Sequence, residues 1–223
     1  MVAVAAYLLG SIPTGFLVAK AKGVDIRKTG SGNIGATNAM RVLGKPAGIF
    51  VLLMDAAKGV LAVVILPSFI CDFIIPHVCG IKLYHYGTLW SLYDESYETV
   101  LRFEIIAGIF AVLGHNYTCW LKFKGGKGIA TTAGVYLALA PWALLVALVV
   151  FILAILITKY VSVGSIAAAI ALPVTVWIMT PQNIFLGIVT TALGALAIYK
   201  HKSNIQRLLA GTENRLGQKK ETK

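Results

Sequence analysis

Two glycine-rich, basic runs carry the residues best suited to chemistry. The first is Thr29-Gly30-Ser31-Gly32-Asn33-Ile34-Gly35-Ala36-Thr37-Asn38, with Arg41 three positions on. Its glycines let the backbone turn tightly and approach a ligand. Successive exposed N–H groups can form an anion-binding nest. Ser31, Asn33, Thr37 and Asn38 add side-chain donors, and Arg41 can fork onto phosphate oxygens. The same run also suits a flexible connector between spans. The second run is Lys122-Phe123-Lys124-Gly125-Gly126-Lys127-Gly128, leading into an apolar helix. Unpaired N–H groups and the positive dipole end of a helix N-terminus bind anions. A lysine at that end is unfavourable unless an anion sits there, so Lys127 points to one. Positive-inside anchoring accounts equally well for Lys122 and Lys124. Neither run is a Walker A loop, because Gly44-Lys45 is followed by Pro46 and Gly126-Lys127 by Gly128.

Further residues cluster around these runs in the expected topology. Asp55 and Lys58 share one helix face inside an apolar stretch. Ionisable groups are costly there and usually functional, although a mutual ion pair that orients the helix is an equal alternative. His115-Asn116 closes a later span, Ser162 and Ser165 open another, and His201 and Asn204 follow the last. Ser162 also suits a helix cap.

The elements that must position these groups follow from composition. The 223 residues are 58% hydrophobic and 13% charged, against roughly 45–50% and about 25% in soluble chains. Mean hydropathy is +0.81. These values exclude a secreted disulfide scaffold, a disordered tail and a cytosolic enzyme, and leave a polytopic membrane protein. A span needs about 20 apolar residues. Apolar stretches at 2–20, 47–70, 103–120, 161–179 and 183–199 fit this length. The uncharged region 128–158 is ambiguous, with Pro141-Trp142 near its middle.

Charge settles the count. Cations gather in 20–45, in 122–127 and in the tail 200–223, whereas the loop 71–102 and its edge set Lys82 and Arg102 against Asp72, Asp94, Glu95, Glu98 and Glu104. Basic segments stay cytoplasmic. All three lie inside only if 128–158 splits into a short helix, 128–139, and a full one, 142–158. The expectation is a single all-α transmembrane domain over 1–223, with about seven helices, the N-terminus outside and the C-terminus cytoplasmic. Of the cysteines, Cys71 and Cys79 share the outer loop and can pair if it meets an oxidising space. No spacing suggests a metal site, and nothing points to a nucleic-acid partner.

With these residues assembled, the chain resembles the bacterial acyl-phosphate:glycerol-3-phosphate acyltransferases, the PlsY family. The resemblance rests on Gly30 to Asn38, Asp55-x-x-Lys58-Gly59, Gly114-His115, Phe123 to Gly128, Tyr160-Val161-Ser162, and His201-x-x-Asn204-Ile205-x-Arg207-Leu208. These run in order through nearly the whole chain, and the outer loop is longer than the family needs. The resemblance implies seven transmembrane helices in the bacterial inner membrane and a site facing the cytoplasm. It implies transfer of a fatty acyl group from acyl phosphate to the 1-hydroxyl of glycerol 3-phosphate, giving lysophosphatidic acid and phosphate for phospholipid synthesis. It also implies no cofactor, no required metal and no acyl-enzyme intermediate.

The residues fit that chemistry independently. No histidine is followed five positions on by an acid: those positions hold Lys82, Trp90, Trp120 and Gln206. A chain without an evident nucleophile needs a donor that is already activated. Ser31, Gly32, Asn33, Thr37 and Asn38 are expected to hold the acyl-phosphate group. Arg41, Lys127, His201 and Asn204 are expected to hold glycerol 3-phosphate, while Ser162, Lys58 and His115 complete the pocket. Ser31, Asn33, Lys127 and His201 are the expected catalytic set, with proton removal open between a substrate phosphate oxygen and His201. The alternative is a membrane transporter of a phosphorylated metabolite, which also needs inward basic loops, but no internal repeat is apparent.

Overall fold

The structure, a computed structural model, describes residues 1–70 and 95–217. Among the described residues it is wholly helical. In chain order the helices are α1 Val2–Ser11, α2 Thr14–Ala21, α3 Ala36–Leu43, α4 Lys45–Phe69, α5 Glu95–Asn116, α6 Ile129–Leu139, α7 Pro141–Thr158, α8 Val161–Met179, α9 Ile184–Lys200 and α10 Lys202–Leu209. Five helical stretches are long and apolar enough to cross a membrane, or six if the bent pair Ile184–Lys200 and Lys202–Leu209 forms one span. Helix α6 has 11 residues and by itself covers about 16 Å of a bilayer core of roughly 30 Å, at 1.5 Å per residue. Cys71 and Cys79, whose pairing the sequence leaves open, lie outside the described residues.

The chain forms two compact units, Met1–Leu139 and Ala140–Lys223. In the first, α1, α4 and α5 pack through small residues. Ala6, Ala62, Ala107 and Ala111 are fully buried, with Leu66, Phe103 and Phe110 around them. Small side chains let helix backbones approach where lipid removes the usual hydrophobic drive between helices. A second cluster, Ala19, Ile26, Ile34, Ala39, Val51 and Leu121, pins the loop 22–35 among α2, α3 and α4.

The first span is broken where the sequence reads it as continuous. Pro13 lacks an N–H, so α1 ends at Ser11 and α2 begins at Thr14. Carbonyls freed inside a membrane must find other donors. The Ile12 carbonyl accepts Thr14 N–H at 3.0 Å and Lys58 Nζ at 3.1 Å. Ser11 O accepts the Thr118 hydroxyl, and Tyr7 OH donates to Tyr117 O at 2.6 Å. The break is thus filled by α4 and by the end of α5.

In the second unit, α8 packs against both α7 and α9. Helix α7 leaves Leu145, Leu148, Val149, Ile152, Leu153, Leu156 and Ile157 exposed. Such a face is a liability in water and an ordinary one against lipid tails. The segment after α10 folds back within this unit: Leu216 N–H donates to Lys159 O at 2.8 Å, and Arg215 Nε donates to Tyr160 OH at 3.0 Å.

Candidate active site

In the first unit, Asn38 is the hub of the first glycine run. It opens α3 and is buried. Its Oδ1 accepts Ser31 N–H at 2.8 Å, and its Nδ2 donates to Ile26 O, Thr29 O and Asn33 O at 3.3, 3.0 and 2.8 Å. One side-chain amide therefore shapes the whole turn from 26 to 33. Gly30 and Gly32 take φ of 66° and 73°, a region that side chains with a Cβ rarely enter. Asn33 Oδ1 accepts Gly35 N–H at 2.8 Å, which closes the entry to α3. Gly32, Thr37 and Arg41 remain exposed, and Ser31 and Asn33 half-buried. The run expected to hold an acyl phosphate is a single locked loop whose outer rim carries these groups. Beside it, Arg27 grips Asp25 through two hydrogen bonds of 2.9 Å and holds that carboxyl down at about 2.

The second run is built on the end of α5. Gly126 N–H donates to His115 O at 2.9 Å, and Gly125 N–H to Asn116 O at 3.2 Å. A Cβ on Gly125 would overlap the His115 carbonyl, and one on Gly126 would overlap the His115 ring. The glycines are there because α5 leaves no room for side chains. Lys127 follows, half-buried, then Gly128 at φ 84° and the first turn of α6. Thr131, in that turn, is fully buried, and its hydroxyl has no hydrogen-bond partner among the described residues. The arrangement can hold an anion by a cation, by main-chain N–H groups and by a helix dipole.

Lys58 and His115 lie deeper. Both are buried, as is Asp55. Lys58 Nζ is 2.8 Å from Asp55 Oδ1, and His115 Nδ1 lies 3.7 Å from the same oxygen. Sequence spacing gave the Asp55–Lys58 pair; it gave no sign of the His115 contact, which joins α4 to α5.

In the second unit, Ser162 at the start of α8 and Asn204 in α10 are buried against one carboxylate. Glu213 Oε1 accepts the Ser162 hydroxyl at 3.1 Å and Asn204 Nδ2 at 2.8 Å, while Oε2 accepts Arg207 Nε at 2.7 Å. Burial pushes the Glu213 carboxyl up, but the hydrogen bonds from Asn204, Arg207 and Ser162 outweigh it and hold the group below its ordinary range. Sequence reading passed over Glu213 as a site residue. The available signal was its position as one of few acids in a strongly basic tail. His201 caps α9, is buried, and donates from Nδ1 to Ala197 O at 2.7 Å. A carbonyl can only accept, so the neutral ring carries its lone pair on Nε2.

The chain is similar to known proteins along most of its length. The sequence model of a family described as glycerol-3-phosphate acyltransferase matches residues 1–211. The chain is 41% identical over 211 residues to the glycerol-3-phosphate acyltransferase of Geotalea daltonii, covering 95% of this chain and 94% of that one. It is 43% identical over 210 residues to the protein of the same name in Geobacter sulfurreducens, covering 94% and 93%. Among solved structures it is similar to PlsY, an integral membrane glycerol 3-phosphate acyltransferase, in its glycerol 3-phosphate form. That match has a TM-score of 0.77, 37% identity, and coverage of 97% of this chain and 94% of that one. The lysophosphatidic acid form matches with a TM-score of 0.74 and 36% identity, at 97% and 94% coverage.

Proposed function

Because the chain belongs to the glycerol-3-phosphate acyltransferase family, we infer that it transfers a fatty acyl group to glycerol 3-phosphate. It is a multi-pass integral membrane acyltransferase of phospholipid synthesis, and lysophosphatidic acid is its product. The observation that carries this is the match along the whole chain, both glycine runs included. The transporter alternative is not favoured, because the matched proteins bear the acyltransferase name.

The donor we propose is acyl phosphate, a mixed anhydride whose leaving group is phosphate. The 1-hydroxyl oxygen of glycerol 3-phosphate attacks the acyl carbonyl carbon, the carbonyl carbon–oxygen bond to phosphate breaks, and the ester forms. The hydroxyl proton ends on the released phosphate, either directly or through His201 Nε2. Little covalent work is left to the protein. Aligning the two ligands can lower the barrier by roughly 7–11 kcal/mol, and each donor aimed at the developing oxyanion by about 3–4 kcal/mol.

In this proposal Ser31, Gly32, Asn33 and Thr37 hold the acyl-phosphate group on the rim shaped by Asn38. Lys127 and Arg41 hold glycerol 3-phosphate, with Lys58 and His115 on the buried side. Asn204 and Ser162 are proposed as further ligands, and His201 as the protein's candidate base. We further propose seven membrane helices, with α6 as the short one, the N-terminus outside and the C-terminus cytoplasmic. The support is the concentration of Lys and Arg in 20–45, 122–127 and 200–223. The site would then face the cytoplasm from the bacterial inner membrane.

The test is an assay of purified protein in lipid with glycerol 3-phosphate and, in parallel, palmitoyl phosphate, palmitoyl-CoA or palmitoyl-carrier protein. Lysophosphatidic acid formed from the acyl phosphate alone is the expected result. Product from a thioester donor, or none from any donor, would overturn the assignment.

A further inference from the structure

The proposed mechanism leaves the buried carboxylate of Asp55 without a task. Asp55 sits in the middle of α4 at 2% exposure, with Lys58 at 4% and His115 at 5%. A pair confined to one helix does nothing to orient that helix against its neighbours. Here both partners reach across. Lys58 Nζ, besides meeting Asp55, donates to Ile12 O at the α1–α2 break. Asp55 Oδ1 faces His115 Nδ1 on α5 at 3.7 Å.

The other edge of the same imidazole carries the glycine loop. A Cβ placed on Gly126 would fall on the Nε2 edge of His115. The His115 carbonyl also accepts the Gly126 N–H at 2.9 Å. Asp55, the His115 ring and Gly126 therefore form a row, and Lys127 is the next residue along the chain. An imidazole swings broadly about its terminal torsion unless its edges are fixed. A swing toward Gly126 would displace the loop, because that contact has no slack. By contrast, the 26–33 turn is fastened by Asn38 and does not draw on Asp55.

We propose that Asp55 is a positioning residue for the glycerol 3-phosphate pocket: it fixes the His115 ring, and the ring fixes the Gly125–Gly128 loop that presents Lys127. This rests on the assignment of Lys127 to glycerol 3-phosphate. Asp55 touches neither substrate. Its loss weakens capture of glycerol 3-phosphate and spares the acyl phosphate.

The test uses the full chain in liposomes, varying glycerol 3-phosphate and palmitoyl phosphate separately. Asp55→Asn removes the charge. Asp55→Glu keeps it but shifts the carboxylate by one bond, which protects against simple misfolding. Both should raise the KM for glycerol 3-phosphate about 10-fold or more, since displacements near 1 Å cost up to about 100-fold, and leave the KM for palmitoyl phosphate unchanged. Gly126→Ala pushes the ring from the opposite edge and should give the same split. The double variant Asp55→Asn/Gly126→Ala should be no worse than its worse parent, because both act on one ring. Multiplied effects in the double variant, a loss of kcat with both KM values intact, or an Asp55→Glu enzyme with wild-type constants would overturn the proposal. Lys127→Ala separates the two failures. If it raises the glycerol 3-phosphate KM while the Asp55 variants do not, only the positioning role falls. If it leaves that KM unchanged, the pocket assignment falls and takes the positioning role with it.

Discussion

Substituting Glu213 by Gln should loosen the second unit by an amount that vanishes in acid. The carboxylate accepts hydrogen bonds from Ser162, Asn204 and Arg207. Glutamine keeps one oxygen, which can still serve Ser162 and Asn204. It turns an NH2 toward Arg207 Nε, donor against donor. The loss is one charge-assisted bond, about 1.5–3 kcal/mol when dry. Because the Arg207 side chain is 30% exposed, screening by water trims this to about 1–2 kcal/mol. Glu213→Ala leaves buried donors without an acceptor and should cost more, about 3 kcal/mol. Thermal unfolding in detergent, followed by tryptophan fluorescence, reads the order wild type, Gln, Ala. The folded carboxyl titrates below its ordinary 4.5. Its contribution is therefore fully present above that value and is lost as pH falls through the lower folded value. The gap between wild type and Glu213→Gln should be full at pH 7 and close under acid. A Glu213→Gln protein that melts with wild type at pH 7, or a gap that widens in acid, would refute the carboxylate's role as acceptor hub.

Three further outcomes are expected. Asn38→Ala strips Ser31 N–H of its acceptor and unties three carbonyls of the 26–33 turn; orphaning the N–H alone costs about 1–3 kcal/mol, and hydrogen exchange should quicken in residues 26–35 with activity largely lost. Lys58→Met leaves Asp55 buried without its 2.8 Å partner, so the protein should lose about 3–5 kcal/mol, read as a lowered thermal midpoint; an unchanged midpoint would mean that water reaches Asp55. His201→Asn puts an amide N–H where Nδ1 donates to Ala197 O but offers no titrating nitrogen, so a His base predicts loss of kcat together with the low-pH limb of its profile; activity intact across pH would leave proton removal to the substrate phosphate.

Much of the architecture can be read from local chemistry. Apolar runs of about 20 residues mark spans wherever they occur, and the helices α4, α8 and α9 fall on the stretches so marked. Asp55 and Lys58 pair because i and i+3 share a helix face whatever surrounds them. Gly30, Gly32, Gly125 and Gly126 announce backbone that must turn or be approached closely. Hydropathy, by contrast, sees the first span as uniform. It counts Pro13 as one mildly polar residue, although that residue ends a helix.

Why those glycines are needed, and what the polar groups meet, belongs to the tertiary structure alone. Composition explains neither the Lys58 bond to Ile12 O, 46 residues away, nor the contact of His115 with Asp55. The same holds for Glu213, which gathers Ser162 and Asn204 from two other segments. Glycine at 126 signals a lack of space, yet only the packed α5 identifies the His115 ring as the reason. The physical cause is range. Helix formation and membrane insertion depend on residues within a few turns of one another, so the order of amino acids decides them. A buried hydrogen bond or ion pair depends on which group arrives opposite, and that is decided when helices distant in sequence pack together.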